Sequence, residues 1–142
     1  VILPDANVLI YAFRHDAERH AGYRAWLESV LSDGRAFGIS DLVLSGVIRI
    51  TTHPRVFAKP SPLQRVLGFC TFLLAQPGAV RLTPGGRHWG IFANLCEAAD
   101  AKGNLISDAY LAALAIESGA ELVTTDRDFA RFPGLRWRHP LR

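Results

Sequence analysis

Ser107-Asp108-Ala109-Tyr110-Leu111-Ala112-Ala113-Leu114-Ala115-Ile116-Glu117-Ser118-Gly119-Ala120-Glu121-Leu122-Val123-Thr124-Thr125-Asp126-Arg127-Asp128 is the stretch on which the fold turns. Ser107 to Ser118 reads as a helix, with Asp108 opening the apolar stretch Ala109 to Ile116. Gly119 stands where a helix ends by entering the left-handed conformation. Glu121 to Thr124 then reads as a short strand, and two aspartates, Asp126 and Asp128, follow it. Helix followed closely by strand, with acids beyond the strand end, is the signature of a parallel α/β unit whose ligand edge carries carboxylates.

The remainder of the chain repeats the alternation. Val1 to Leu3 reads as a buried strand, with Asp5 just beyond it and Asn7 two residues on, and Val8 to Phe13 as a short helix. Between Ala17 and Ser32, Tyr23, Trp26, Leu27, Val30 and Leu31 recur at helical spacing, and Gly34 can end that helix. Ala36 to Ile39 is the second strand. Ser40-Asp41 offers N-cap chemistry for a helix reaching about Thr52. Ser61-Pro62-Leu63-Gln64 combines a capping-box pattern with Pro at the first helical position. The helix behind it puts Leu63, Val66, Leu67, Cys70, Leu73 and Leu74 on one face, and Pro77-Gly78 stops it. Ala79 to Leu82 is the third strand. Trp89, Phe92, Ala93 and Cys96 mark a further helix to about Asp100, broken at Lys102-Gly103-Asn104; Leu135 to Arg138 is a fifth strand. The expected fold is α/β: one three-layer α/β/α domain over residues 1–142, around a central, mostly parallel sheet of four to five strands.

Composition agrees with that class. Hydrophobic residues make up 49% of the 142 and charged residues 20%, which excludes a disordered chain and leaves enough for a core. No apolar run approaches the roughly 20 residues of a membrane span. No basic segment followed by an apolar one opens the chain, so the expectation is a cytoplasmic protein with no membrane partner. Cys70 and Cys96 belong to no metal-ligand spacing and read as small core hydrophobes. The net charge of +3 suits a polyanionic partner without establishing one.

The acids carry the chemistry. Strand ends and helix starts of a parallel sheet lie along one edge, so Asp5, Asp108 and Asp126 arrive at one place from distant segments. Carboxylates brought together raise one another's pKa unless a cation neutralises them. Mg²⁺ and Mn²⁺ take oxygen ligands, often one or two carboxylates completed by water and phosphate. Asp5, Asp108 and Asp126 are therefore the candidate metal ligands, Asp128 adds a ligand or orients a water, and Asn7 steadies a carboxylate or contacts substrate. Each aspartate alone has an ordinary reading as a helix cap or a polar turn. The shared edge favours a metal site and phosphate chemistry.

Four motifs then become recognisable. Pro4-Asp5-Ala6-Asn7-Val8-Leu9-Ile10, Val47-Ile48-Arg49-Ile50-Thr51-Thr52-His53-Pro54-Arg55-Val56-Phe57, Ser107 to Ala115, and Leu122-Val123-Thr124-Thr125-Asp126-Arg127-Asp128-Phe129 resemble, in order, motifs of PIN-domain ribonucleases, specifically the VapC toxins of bacterial toxin–antitoxin pairs. The resemblance implies a PIN fold and Mg²⁺- or Mn²⁺-dependent endoribonuclease activity on RNA. It also implies inhibition by a VapB-type antitoxin and a tendency to form homodimers. It matches Asp5, Asp108 and Asp126 to the family's acids, Asp128 to an accessory acid, and Thr125 to a small hydroxyl residue beside the metal. One position departs: where the family carries Glu on the helix after the second strand, this chain has Gly46, with Asp41 about one turn earlier as a possible substitute.

RNA contact is expected from Arg14, Arg49, Arg55 and Arg127 around the acidic edge, with Arg14 joined by His15 and Arg55 by Lys59. Trp26, Trp89 and Trp137 are candidates for stacking on bases, but Trp26 and Trp89 fit helix core faces better. Two other functions suit part of the pattern. A phosphatase with Asp5 as nucleophile needs a well-placed Lys, and the only lysines are Lys59 and Lys102. A binding module that lost catalysis with the missing Glu would hold RNA or antitoxin without cutting.

Overall fold

A computed structural model describes residues 1–142. Five short strands form one sheet: β1 (Ile2–Pro4), β2 (Phe37–Ile39), β3 (Ala79–Arg81), β4 (Glu121–Val123) and β5 (Trp137–Arg138). Their order is β3-β2-β1-β4-β5, and every pairing is parallel. Ile2 faces Phe37 on one side and Glu121 on the other, and Pro4 faces Val123. The three inner strands supply Leu3, Phe37, Ile39, Leu122 and Val123 to the core, whereas Val80 and Arg81 on edge strand β3 are exposed. That difference follows from position, since only inner strands are covered on both faces.

Six helices cover the sheet: α1 (Ala6–Phe13), α2 (His20–Ser32), α3 (Asp41–Thr51), α4 (Leu63–Leu74), α5 (His88–Ala98) and α6 (Asn104–Ser118). Right-handed crossovers put the helices between β1 and β3 on one face and α5 and α6, which lead back across to β4, on the other. The contacts agree: α1 packs on α2 and α3, α3 packs on α4, and α5 packs on α6. Along α6, Ala109, Leu111, Ala112, Ala113, Leu114 and Ala115 are all buried. Alanine on that helix permits close approach, and each large aliphatic side chain buried in this core contributes about 1.5–3 kcal/mol. No helix is long and apolar enough to cross a membrane.

The expected α/β class, the strand count and the parallel sheet match the structure. Several boundaries move, each for a local reason. α1 begins at Ala6 because Asp5 caps it. α2 begins at His20, after a turn in which Arg19 takes a left-handed φ of 59°. α6 begins at Asn104, so Asp108 lies inside the helix and caps nothing. The capping box expected at Ser61 does not form: its hydroxyl accepts from Arg14 Nη1 at 3.0 Å, and α4 starts behind Pro62 without a side-chain cap. Trp89 lies outside the core, at 72% exposure. Cys70 is buried and Cys96 partly so, both as free thiols.

Candidate active site

The chain leaves β1 toward β2 and β3 on one side, while β4 and β5 lie on the other. A crevice therefore opens at the carboxyl ends of β1 and β4, the place where parallel sheets bind ligands. Asp5 follows β1, and Asp126 follows β4 after two threonines. α6 runs back toward the sheet's other end, so its first turns, with Asp108, overhang the same crevice. Asp5, Asp108 and Asp126 line one open cavity of about 250 Å³, together with Asn7, Gly46 and Arg49.

Asp5 is fixed from several directions. Its Oδ1 accepts from the Ala6 backbone N–H at 2.7 Å. Its Oδ2 accepts from the Thr124 hydroxyl at 2.8 Å and from Asn7 Nδ2 at 3.3 Å. Thr124 Oγ1 in turn accepts from the Asp126 N–H at 3.1 Å, and Asn7 Oδ1 accepts from the Thr125 N–H at 3.4 Å. Asp126 Oδ1 accepts from the Asp128 N–H at 2.8 Å and so caps the short 3-10 helix Arg127–Arg131. The hydroxyl beside the acids is thus that of Thr124. The family resemblance matches that role to Thr125, the next residue, whose backbone N–H bonds Asn7 and which lines a neighbouring cavity. A hydroxyl on a buried strand end must find a partner, and that requirement was the available signal for Thr124.

The electrostatics record the crowding. Burial raises the Asp108 carboxyl to about 6, with Asp126, Asp5 and Asp128 pushing it further in the same direction. Burial also raises Asp5, and Asp126 adds to that rise, although the hydrogen bonds from Thr124 and Ala6 oppose it. All these donors are hard oxygens, the chemistry Mg²⁺ or Mn²⁺ selects. No three His, Cys, Asp or Glu side chains form a ready-made metal cage. The donor set fits an open Mg²⁺-type site, held by one or two carboxylates and completed by water and phosphate.

The remaining expected residues divide. Arg49 lines the acidic cavity and has no ion-pair partner. Arg127 adjoins Asp126 and is exposed, as is Asp128. Arg55 stands away from the cavity on the loop after α3. Arg14 is only 8% exposed and committed within the fold: it pairs with Asp16 at 2.6 Å, donates to the Lys59 carbonyl at 3.0 Å, and stacks on Phe57. Asp41 does not reach inward; it pairs with Arg81, while Ser40 caps α3. Gly46 does face the site, and a Cβ there would meet only Ala6 Cβ, at 3.7 Å. Neither lysine lines the cavity, which leaves the aspartyl-nucleophile reading without its cation.

The PIN domain family model matches residues 2–135. Ribonuclease VapC43 of Mycobacterium tuberculosis is 50% identical over 137 residues, covering 96% of this chain and 93% of the relative. Ribonuclease VapC25 of the same organism is 39% identical over 140 residues, 99% of each chain. Among solved structures, VapBC2 from Rickettsia felis, bound to a promoter DNA fragment, superposes with a TM-score of 0.70 at 19% identity, over 97% of each chain. M. tuberculosis VapC20, described as a sarcin–ricin loop cleaving toxin, superposes at 0.66 with 14% identity, over 96% of this chain and 99% of that one. A parallel sheet with acids at its switch point, matched by a family model over nearly its whole length and by relatives at up to half identity, makes this chain a member of the PIN-domain family, in its VapC branch.

Proposed function

We propose that this protein is a VapC-type endoribonuclease that hydrolyses RNA phosphodiester bonds with Mg²⁺ or Mn²⁺ and is neutralised by a VapB-type antitoxin. The observation that carries the reading is the meeting of Asp5, Asp108 and Asp126 in one cavity, where the Asp108 carboxyl is raised to about 6. Asp5, Asp108 and Asp126 are the carboxylates among which the cation would sit, one or two binding it directly; when bound it would neutralise charge at the phosphoryl oxygens and ease proton loss from water. Thr124 and Asn7 fix the Asp5 carboxylate so that it meets the reaction already oriented. Asp128, exposed beside Asp126, orients the attacking water and accepts its proton. Arg49 and Arg127 bind the substrate backbone; Arg14 holds the 57–61 loop in place.

The relatives' names support the ribonuclease activity, and the VapBC complexes among the structural neighbours support the antitoxin partner. One observation favours a second reading, a binding module without catalysis: Gly46 leaves the cavity without the family's fourth acid.

Cleavage of total bacterial RNA by antitoxin-free protein separates the two. Wild type should release discrete fragments with Mg²⁺ or Mn²⁺ and none with EDTA. Asp5→Asn keeps the oxygen that caps α1 but loses the charge, and should cut at least about 100-fold more slowly. RNA bound but uncut by wild type with every metal would install the binding module instead.

A further inference from the structure

A second cavity, of about 310 Å³, lies next to the acidic one and is lined by Thr125, Arg127, Trp137, Arg138, His139 and Arg142. The two cavities share a wall. Asp126 is extended, with φ −90° and ψ 115°, and successive side chains of extended backbone point to opposite sides. Asp126 thus faces the acidic cavity, while Thr125 and Arg127 face the second one.

The second cavity is cationic. Arg138 is paired with Glu121 at 2.8 Å, but Arg127 and Arg142 have no carboxylate partner. His139 Nδ1 accepts from the Leu141 N–H at 3.1 Å, so a neutral His139 carries its proton on Nε2, as a donor. Burial first, then the Arg142, Arg19 and Arg127 guanidiniums, push the His139 imidazole below its ordinary pKa. Positive charge therefore converges on this cavity from α2's start, the 3-10 helix and the segment after β5. Trp137, half-buried, adds an aromatic ring to the wall.

We propose that this cavity is an RNA subsite, in which Arg127, Arg142 and the His139 N–H bind a backbone phosphate next to the cleaved linkage, with Trp137 against a base. It rests on the ribonuclease reading and extends it, because the acidic cavity repels the very polyanion it must cut. Cationic guanidiniums one residue away on the chain offset that repulsion and set the strand's path across the acids. Single strands favour such a pairing of charge with an aromatic face, which tolerates any base.

The test uses fluorescence anisotropy with a short, labelled single-stranded RNA of mixed sequence, in EDTA, across a salt series. Arg142→Ala should weaken binding about tenfold and reduce the salt-dependence slope by about 1, and Arg127→Ala should do the same. Trp137→Phe should bind nearly as wild type, and Trp137→Ala less well, with thermal melting confirming that both remain folded. Arg24→Ala, on the exposed face of α2 and paired with Glu28, should change neither affinity nor slope. Unchanged affinity in Arg142→Ala and Arg127→Ala, with wild-type RNA cleavage intact, would overturn the subsite while leaving the ribonuclease reading in place. Unchanged RNA affinity with weakened binding of poly-L-glutamate would give the cavity to an acidic protein segment and overturn it too. Wild type that neither binds nor cuts RNA would remove the ribonuclease reading, and the subsite with it.

Discussion

The Thr124 hydroxyl has no access to solvent, so each of its hydrogen bonds has to be made inside the protein. It donates to Asp5 Oδ2 and accepts from the Asp126 N–H, joining the ends of β1 and β4 through a single atom. Thr124→Val keeps the shape and removes that atom. The Asp126 N–H is then left without a partner and Asp5 loses its shortest side-chain donor. We expect a stability loss of about 1–3 kcal/mol and RNA cleavage slowed about 10- to 100-fold, because the two acids are no longer fixed to each other. Thr124→Ser restores the hydroxyl and should recover most of both. Denaturant melts and RNA cleavage rates check this, and a Val variant that cuts at the wild-type rate would remove Thr124 from the positioning role.

α3 shows how one element can be legible in part. Its Ser40 cap and its end near Thr52 follow from residue types within a few positions of each other, and both match the structure. What its side chains meet was not readable, because those partners are distant in sequence: Arg81 for Asp41, Ala6 for Gly46. The same limit explains the helix starts. Ser61 looked like a cap, but Arg14, far upstream, takes its hydroxyl. At the end of β4, two adjacent threonines differ only in which side of the strand they face, so a shift of one residue exchanged Thr124 for Thr125. A carboxylate near a strand end reaches the crevice from more than one register, so the placing of the acids depends less on such a shift. For α3 itself, Asp41→Asn should leave RNA cleavage unchanged and stability within about 1 kcal/mol, as an exposed ion pair contributes little. Gly46→Glu should fold, because only ordinary contact with Ala6 awaits its Cβ and a glycine inside a helix is unfavourable. It should also tighten Mn²⁺ binding, read by calorimetry, by adding a carboxylate to the cavity wall. Unchanged Mn²⁺ binding in that variant would show that the cavity is not the cation's place.

Over the whole molecule, the crowded acids oppose folding. The folded Asp108 carboxyl holds its proton up to about 6, against an ordinary value of 3.8. Between those values the folded state binds more protons than the unfolded one, so stability falls as pH rises through that window and stays lower above it. The loss is at most about 3 kcal/mol, and burial of Asp5 acts in the same direction. The lowered carboxyls of Asp16 and Glu117 act in the opposite sense, but they lie at the surface, where solvent screens them. Asp108→Asn removes the largest opposing group. It should melt a few degrees above wild type at pH 7.5 without metal, and the difference should vanish toward pH 4. A cation held by the acids in the folded state alone stabilises that state by an amount that grows with the logarithm of its free concentration above Kd. Mn²⁺ should therefore raise the wild-type melting temperature at pH 7.5, closing the difference, and shift Asp108→Asn much less. A variant that melts with or below wild type at pH 7.5 would show that Asp108 is stabilised by something other than its proton. A Mn²⁺ shift equal in both proteins would take Asp108 out of the cation site.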